Sequence, residues 1–441
     1  MTIWKKTLLS QASSGAGEWF TLYHFQYNST ESNTQISQAV VDSSGTIYGI
    51  SWDNSLTRAA FAVLDSAGDV TTAKYLNPND GGTNSARSAA IDSSDNFIIS
   101  GNDSSAAFLE KFNSSLTSQW AYEYTDPYAY FTPAEWGGIV TDSSDNIYFC
   151  GSGFTNTSWN SMVFFKLNSS GTIQWRRYLG TSSQGDLAFS LGINSAGTKI
   201  GFGGRDYQGG IRNCAFGVLN ASDGTVDWSH SYYGTSTNSA YQNAFDSSGN
   251  LIVIGHQRVG TVRKGWVGKF NSSGAEQWTK GIQDSSYNTY AYGMCVDADD
   301  NTYMGIQVSG QWGGIIKLDS SGAKVWDIKI EGATGSDYTY WYPRSLTIDS
   351  DGFLIVAGMA YLPNATPSAR WDSMIMRTTT DGPPTGTYGD LTFSTAGFTV
   401  STGGLQDQGS VGDLGQAANY GTTSRPTTLT NMPVTSTTTE L

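Results

Sequence analysis

A short turn sequence that recurs seven times predicts an all-β protein, a seven-bladed β-propeller. The clearest copy is residues 246–250 (DSSGN), which precede an apolar run at 251–255. Successive copies lie 50 to 52 residues apart, a period typical of propellers and solenoids. Only 14% of the residues are charged and 52 are glycine, which fits short strands joined by tight turns. The copies begin at Asp42, Asp92, Asp142, Asn194, Asp246, Asp297 and Asp349.

Each repeat carries a second turn, whose clearest copy is residues 168–171 (NSSG), and a strand containing Trp175 follows it. In both turns the Asp or Asn side chain can accept a main-chain hydrogen bond, and Gly supplies the positive φ of a tight hairpin. One repeat therefore predicts four antiparallel strands, here called a to d, with turns joining a to b and c to d. The tryptophans that recur in strand d are predicted to pack between blades: Trp4, Trp120, Trp175, Trp228, Trp278 and Trp326.

The two ends of the chain predict how the ring closes. In the seventh repeat two prolines at 383–384 occupy the place of strand d, and proline cannot donate to a strand ladder. Residues 2–6 (TIWKK) match strand d of the third repeat at 173–177 (IQWRR). We therefore predict that a strand at 2–6 closes the last blade, and that residues 10–34 connect it to the first blade.

The sequence predicts two regions, a propeller at residues 1–382 and a C-terminal arm at 383–441. The arm is rich in Thr, Gly and Ser, so it cannot bury a core of its own. We expect it to be extended and to order on a partner, with a small hairpin within residues 387–400.

Strand order also predicts two different faces of the ring. Since strand directions alternate, all the a–b and c–d turns lie on one face, here called the hairpin face. The longer b–c and d–a connections lie on the opposite loop face, and function concentrates on variable loops of this kind. Its Tyr-rich residues are candidates for binding, or else they pack between blades and support the loops. The candidates are Tyr124, Tyr128, Tyr130, Trp159, Tyr207, Arg258, Tyr287, Tyr290, Trp312, Tyr338, Tyr340, Trp341 and Trp371.

The sequence predicts no catalytic set, no metal site and no cofactor. Asp297, Asp299 and Asp300 resemble half of a calcium loop, but no Glu follows at the offset that would close it. We interpret these carboxylates as turn residues. The three histidines occupy different repeat positions, and His256 with Arg258 is the best polar candidate among them.

Composition argues against several other classes of protein. The net charge of −14 disfavours nucleic-acid binding, which requires clustered Lys and Arg. The three cysteines at 150, 214 and 295 are too few for a disulfide framework, and we expect buried free thiols. The N-terminus lacks the apolar stretch of a signal peptide, and no apolar run approaches the ~18 residues of a membrane span.

The two turn motifs, DSSGN with its apolar run and KLNSSG with its following Trp, resemble known repeats. They are similar to the repeats of bacterial β-propeller proteins and of propeller proteins in bacteriophage virions. The resemblance covers the seven repeats and is specific for the fold. It is weak evidence for function, because propellers host many activities.

The resemblance implies a non-enzymatic virion structural protein of a tail fibre, tail tip or capsid decoration. The loop face would then bind a receptor or cell-surface glycan. Residues 383–441 would bind other virion proteins in a multi-subunit assembly, without membrane insertion. Two alternatives stay open: a bacterial carbohydrate- or protein-binding propeller outside any virion, and a glycan-cleaving propeller enzyme.

Overall fold

Strands joined by turns make up the whole fold, which confirms the predicted all-β class. No helix in the part of the chain that the structure describes is long and apolar enough to cross a membrane. The structure is a computed structural model, and it describes residues 17–27, 30–31, 34–53, 58–78, 84–103, 106–125, 131–133, 138–154, 160–180, 185–208, 210–233, 237–284, 287–363, 370–388, 391–402, 406–407, 413–416, 421–424, 427–431 and 434–440.

Antiparallel sheets, the blades, follow one another along the chain after β1 (Trp19–Tyr27) and β2 (Thr30–Glu31). Blade 1 contains β3 (Thr34–Val41), β4 (Ile47–Asp53), β5 (Arg58–Leu64) and β6 (Val70–Pro78). Blade 2 contains β7 (Asn84–Ile91), β8 (Phe97–Asp103), β9 (Ala106–Phe112) and β10 (Ser118–Thr125). Blade 3 contains β11 (Phe131–Pro133), β12 (Ile139–Thr141), β13 (Ile147–Phe154), β14 (Asn160–Leu167) and β15 (Ile173–Leu179), with β11 and β12 together taking the place of strand a.

The remaining blades repeat the same order. Blade 4 contains β16 (Leu187–Ile193), β17 (Lys199–Gln208), β18 (Ile211–Asn220) and β19 (Val226–Tyr233). Blade 5 contains β20 (Ser239–Phe245), β21 (Leu251–Val259), β22 (Val262–Phe270) and β23 (Glu276–Gln283). Blade 6 contains β24 (Thr289–Val296), β25 (Thr302–Val308), β26 (Trp312–Leu318) and β27 (Lys324–Gly332). Blade 7 contains β28 (Tyr340–Ile348), β29 (Leu354–Leu362) and β30 (Arg370–Thr378), followed by β1 as its strand d.

The blades form a closed ring. Strand a of each blade contacts strand a of the next, and β28 of blade 7 contacts β3 of blade 1. The buried apolar side chains of the described residues fall into seven clusters, one at each interface between neighbouring blades. Stacking the blades therefore buries faces that a single blade would expose.

A repeated joint explains the tryptophan that follows the second turn in blades 2 to 6. The carbonyl oxygen of Ala221, the second residue of the c–d turn in blade 4, accepts two hydrogen bonds from blade 3. They come from Trp175 Nε1 at 3.1 Å and Lys166 Nζ at 3.2 Å. Three further joints repeat this arrangement: Trp120 and Lys111 on Ser169, Trp278 and Lys269 on Ser320, and Trp326 and Lys317 on Thr380. The predicted packing between blades is confirmed for these four tryptophans and for Trp228, which packs between blades 4 and 5. Trp4 lies outside the described residues.

An N-terminal strand closes the last blade, as predicted, but the strand is β1 and not residues 2–6. Trp19 in β1 lies opposite Arg377 in β30, and its Nε1 donates to Ser66 O at 2.9 Å. Trp19 therefore makes the tryptophan joint between blades 7 and 1. The prediction relied on the basic pair that follows Trp175, and β1 reads WFTLY without such a pair. Residues 2–6 lie outside the described residues.

The C-terminal arm is extended and forms a belt of fifth strands around the ring. Its strands pass blades 6, 5, 4, 3, 2, 1 and 7 in that order, pairing antiparallel with β27, β23, β19, β15, β10, β6 and β1. Each blade thereby gains one outer strand, which covers an edge that would otherwise be free for pairing. The belt consists of β31 (Gly386–Tyr388), β32 (Leu391–Ser394), β33 (Thr399–Thr402), β34 (Gln406–Asp407), β35 (Asp413–Gln416), β36 (Gly421–Ser424), β37 (Thr427–Asn431) and β38 (Val434–Glu440).

Aromatic side chains anchor the first part of the belt. β31 and β32 form a hairpin, while β33 pairs with blade 5 rather than folding back on β32 as the predicted hairpin would require. Phe393 is buried between blades 6 and 7, and Phe398 between blades 5 and 6. The Phe398 ring lies 5.0 Å from that of Trp312, and its main-chain N donates to Asp327 Oδ2 at 2.7 Å.

Candidate ligand-binding face

A β-bulge interrupts strand a at one repeat position, five residues before the Asp or Asn of the a–b turn. This position lies near the loop-face end of strand a, and a bulge re-aims its side chain out of the regular alternation. Because the a strands adjoin one another around the ring, the bulged residues encircle its axis on the loop face. They are Ser37, Arg87, Phe189, Tyr241, Tyr292 and Arg344. The blade 3 equivalent, Gly137, lies outside the described residues.

The bulged residues of blades 4 to 7 contact one another in sequence. The ring of Phe189 lies 5.8 Å from that of Tyr241, and Tyr241 lies 4.6 Å from Tyr292. The guanidinium of Arg344 then lies 4.0 Å from the centre of the Tyr292 ring. Four blades thus contribute one continuous row of rings ending in a cation.

A second layer of rings packs onto this row. His256 stacks on Tyr241 at 5.2 Å and meets the edge of Tyr290 at 5.0 Å. Tyr290 in turn stacks on Tyr292 with ring planes 14° apart. Each ring is therefore held by at least one other, which limits the conformational freedom that a ligand would have to restrict.

Blade 7 continues the aromatic surface beyond Arg344. Tyr340, Tyr361 and Trp371 lie side by side on strands a, b and c. Tyr340 stacks on Tyr361 at 5.1 Å and on Tyr342 at 4.9 Å, and Tyr361 lies 4.8 Å from Trp371. We call the whole set the aromatic arc: Phe189, Tyr241, His256, Tyr290, Tyr292, Tyr340, Tyr342, Tyr361 and Trp371.

Arginines accompany the arc. Arg205 lies 5.6 Å from the Phe189 ring and Arg263 lies 5.8 Å from the Tyr290 ring, both within the range of cation–π attraction. Arg263 Nη1 also donates to the Tyr290 hydroxyl at 3.0 Å. With Arg344, three guanidinium groups therefore contact rings of the arc.

Burial sets the protonation of three groups of the arc. It raises the pKa of Tyr342 to about 12, although the N–H of Gly310, which donates to its hydroxyl at 2.8 Å, opposes the shift. Burial likewise raises the pKa of Tyr340. Burial, with the nearby charge of Arg263, lowers the pKa of His256 to about 3. At neutral pH, Tyr340 and Tyr342 therefore carry neutral hydroxyl groups, and His256 is a neutral imidazole.

The structure places the predicted binding residues in different environments. Tyr290, Tyr340 and Trp371 belong to the aromatic arc and are partly buried. Tyr207 and Arg258 lie at the loop-face ends of β17 and β21, and Tyr287 is 44% exposed. Tyr128, Tyr130 and Trp159 lie outside the described residues.

The other four predicted residues are core side chains. Tyr124 and Trp341 are fully buried, and the Tyr124 hydroxyl donates to Gly171 O in the next blade at 3.4 Å. Tyr338 is 8% exposed and its hydroxyl donates to Asp372 Oδ2 at 2.7 Å. Trp312 packs on Phe398 of the belt. In this conformation these rings present little surface to a ligand.

Arc residues outside the predicted set include Phe189, Tyr241, Tyr292 and Arg344. The signal that would have found them is their shared position, five residues before the conserved turn residue of the repeat. In a regular strand successive side chains alternate between the two faces of the sheet. The bulge breaks this alternation and directs the side chain at this position toward the axis of the ring.

The hairpin face has its acidic groups engaged in turns. Asp297 Oδ1 accepts from the main-chain N of Asp299 at 3.0 Å and of Asn301 at 2.8 Å. Burial raises the pKa of Asp297, but hydrogen bonds from Asn301 and Tyr303 outweigh it and hold the pKa below its ordinary value. Within the described residues, no group of three or more His, Cys, Asp or Glu is placed to hold a metal ion.

The three cysteines are free thiols within the blades. Cys150 and Cys214 are fully buried, and burial raises the pKa of both thiols. Thiols of this kind are unreactive, since the thiolate is the nucleophilic form.

No protein-family model matches the chain, and no curated protein matches it in sequence. Solved structures with a similar fold include the β-propeller domain of the Trilobed protease from Pyrococcus furiosus, at 9% identity and a TM-score of 0.43, covering 75% of this chain and 92% of that one. Sqt1 from Chaetomium thermophilum matches at 10% identity and a TM-score of 0.45, covering 77% and 85% of the two chains. The polysaccharide lyase Uly1 matches at 9% identity and a TM-score of 0.47, covering 81% and 97%. These matches concern the fold, and they include enzymes and proteins that are not described as enzymes.

Proposed function

We propose that this protein is a non-enzymatic virion structural protein whose loop face binds a cell-surface glycan. The aromatic arc is the observation that supports binding. Its partly exposed rings lie on blades 6 and 7 and stack on one another, and buried arc rings support them from below, so they form a pre-organised surface. The partly exposed rings are Tyr290, Tyr292, Tyr340, Tyr361 and Trp371. Tyrosine and tryptophan provide large rigid contact area together with polar groups, a combination common in recognition surfaces. Sugars, which have apolar faces edged by hydroxyl groups, suit such a surface.

The virion context is supported by the resemblance of the repeats to those of bacteriophage propeller proteins. Protein mass spectrometry of purified particles from the source of this gene tests that context. We expect peptides of this chain in particles free of host proteins. Their absence from particles, together with glycan binding by the purified protein, would favour a carbohydrate-binding propeller outside any virion.

Glycan binding is tested with a glycan array, followed by analysis of the products from each bound glycan. We expect retention of a limited set of glycans without cleavage. Release of shortened or unsaturated products would contradict the non-enzymatic role and favour the enzyme alternative. Tyr340→Ala, in the arc, should weaken binding, whereas Val325→Ala, at an exposed apolar residue next to the c–d turn of blade 6, serves as the control.

We also propose that the C-terminal arm takes part in docking to other virion proteins. The belt strands pair with the ring along one edge. We propose that other virion proteins dock to the outward edges of these strands and to the hairpin face. A chain shortened after Thr402 keeps the anchors Phe393 and Phe398 and removes β34 to β38. After a thermal-unfolding check of its folding, this protein should fail to enter particles. Normal incorporation would count against docking through this segment.

A further inference from the structure

We infer that the aromatic arc selects glycans that carry a carboxylate, such as uronic acids, through Arg344 and Arg263. This inference rests on the proposed glycan binding and adds the chemical class of the sugar. Four observations about the arc support it.

The first observation is the pairing of cations elsewhere in the protein. Lys111, Lys269 and Arg377 lie 2.6 to 2.7 Å from the carboxylates of the a–b turns in their own blades. These pairs lie on the hairpin face and are buried, which is how a protein normally accommodates such charges. The acidic residues outnumber the basic ones, 38 to 24, so protein carboxylates are abundant.

Arg344 and Arg263 depart from this pattern. Among the described residues, neither forms an ion pair with a carboxylate. The Arg344 guanidinium lies over the Tyr292 ring. Arg263 has one N–H on the Tyr290 hydroxyl, and its Nε is buried. Both side chains are partly exposed, so the remaining N–H groups of the two guanidinium groups are the donors for an external anion.

His256 is the third observation. It is only 3% exposed and lies between Tyr241 and Tyr290, next to the Arg263 charge. A main-chain hydrogen bond at Thr237 partly offsets the fall in its pKa. His256 therefore supports the rings of the arc from below, and the contact with a sugar is left to those rings and to the arginines.

The geometry of the guanidinium favours carboxylate over other anions. Its parallel N–H groups match the two oxygens of a carboxylate in a bidentate pair, and such charge-assisted bonds are stronger than neutral ones. The contact with the Tyr292 ring holds the Arg344 guanidinium in place before the ligand arrives. Tyr292 in turn stacks on Tyr290, so the sugar ring of a bound uronic acid would lie against these two rings.

Calorimetric titration of the full-length protein tests the inference. The probes are polygalacturonate, alginate and polysialic acid, each paired with its carboxyl-reduced form, and dextran sulfate as an anion without carboxylates. We expect at least one carboxylated polymer to bind at least tenfold more tightly than its reduced form. Equal binding of both forms would overturn the inference and leave the proposed glycan binding in place. If no polymer of this panel binds, the inference is overturned. If no glycan of the wider array binds either, the proposed glycan binding is overturned as well.

Variants then locate the site. Arg344→Gln and Arg263→Gln should each lower the affinity for the carboxylated polymer at least tenfold. Arg344→Lys should lower this affinity less, because the charge is retained. Arg212→Gln is the matched control, since Arg212 is an exposed cation on the same face, three strands from the axis. It should change the affinity less than twofold. Folding of each variant is checked by its melting temperature. Equal losses in all variants, or tighter binding of dextran sulfate than of any carboxylated polymer, would contradict selection of carboxylates by Arg344.

Discussion

Asp95 in blade 2 accepts two hydrogen bonds from Ser43 in blade 1, from its main-chain N at 2.9 Å and from its hydroxyl at 2.6 Å. Asp95 has φ = 57° at the turn position where other repeats carry Gly. Ser247 makes the same two bonds to Asp300, and the main-chain N of Ser93 donates to Asp145 at 2.9 Å. Repeats with Asp rather than Gly at the fourth position of this turn therefore accept a left-handed backbone at a non-glycine residue, and they also link neighbouring blades.

This relationship predicts that Asp95→Gly lowers stability even though Gly suits the backbone. Glycine relieves left-handed strain, but it removes both hydrogen bonds and loses more backbone freedom on folding. We expect a net loss of about 1 kcal/mol in the free energy of unfolding, measured by chemical denaturation. Asp95→Asn keeps an acceptor at this position and should lose less than half as much. A gain in stability for Asp95→Gly would show that backbone strain outweighs the bonds to Ser43.

The closing strand gives a second prediction. Trp19→Phe removes the hydrogen bond to Ser66 O and part of a ring that is 2% exposed. Both losses weaken the joint between blades 7 and 1, so we expect a decrease of about 1–2 kcal/mol in the free energy of unfolding. The control is Val325→Ala, at a residue that is 54% exposed, and it should change stability by less than about 0.5 kcal/mol. Equal effects of the two variants would show that Trp19 does not stabilise the joint between blades 7 and 1.

The belt anchor gives a third prediction. Phe398 is 2% exposed and fills the interface between blades 5 and 6 against Trp312. Phe398→Ala should leave a cavity there and lower the free energy of unfolding by about 3–4 kcal/mol. Thr399→Ala, at the exposed neighbouring position, is the control and should have an effect below about 0.5 kcal/mol. If both variants unfold at the denaturant concentration of the unmodified protein, the belt does not stabilise the ring.

His256 gives a prediction for pH. Its folded pKa of about 3 lies below the ordinary value of 6.5, so between these values the unfolded chain binds a proton that the folded protein does not. The contribution of neutral His256 to the free energy of unfolding is fully present above pH 6.5. It declines toward pH 3 by about 1.4 kcal/mol per pH unit. His256→Gln should flatten the dependence of unfolding free energy on pH by that amount between pH 6 and pH 4. A direct check is NMR, in which the ring signals of His256 should not titrate between pH 7 and pH 5.

The structure brings some residues predicted for binding into the arc and places others in blade interfaces. Tyr290, Tyr340 and Trp371, predicted because they lie at the ends of strands beside variable loops, belong to the arc. Tyr124 and Trp341 satisfy the same criterion, yet their side chains point into blade interfaces. Since successive side chains of a strand point to opposite faces, loop proximity alone does not indicate whether a ring is exposed.

The number of blades, the four strands in each and the two faces were determined by the sequence alone. Turn chemistry is local: an Asp or Asn side chain bonds its own turn, and Gly or Asp takes the positive φ there. The repeated turn sequence therefore predicts the position of each hairpin. The Trp and Lys that follow the same pattern mark the joints between blades, since each reaches a fixed carbonyl of the next copy.

Only the tertiary structure decided which strand closes blade 7, where the arm runs and which side chains form the arc. Belt and closing strands are held by main-chain hydrogen bonds that nearly any sequence can make, so β1 and β38 carry no distinctive motif. The arc depends on bulges, because one extra residue in strand a re-aims a side chain. That shift brings Arg344 onto Tyr292 from the next blade, a contact between residues 52 positions apart that no local pattern encodes.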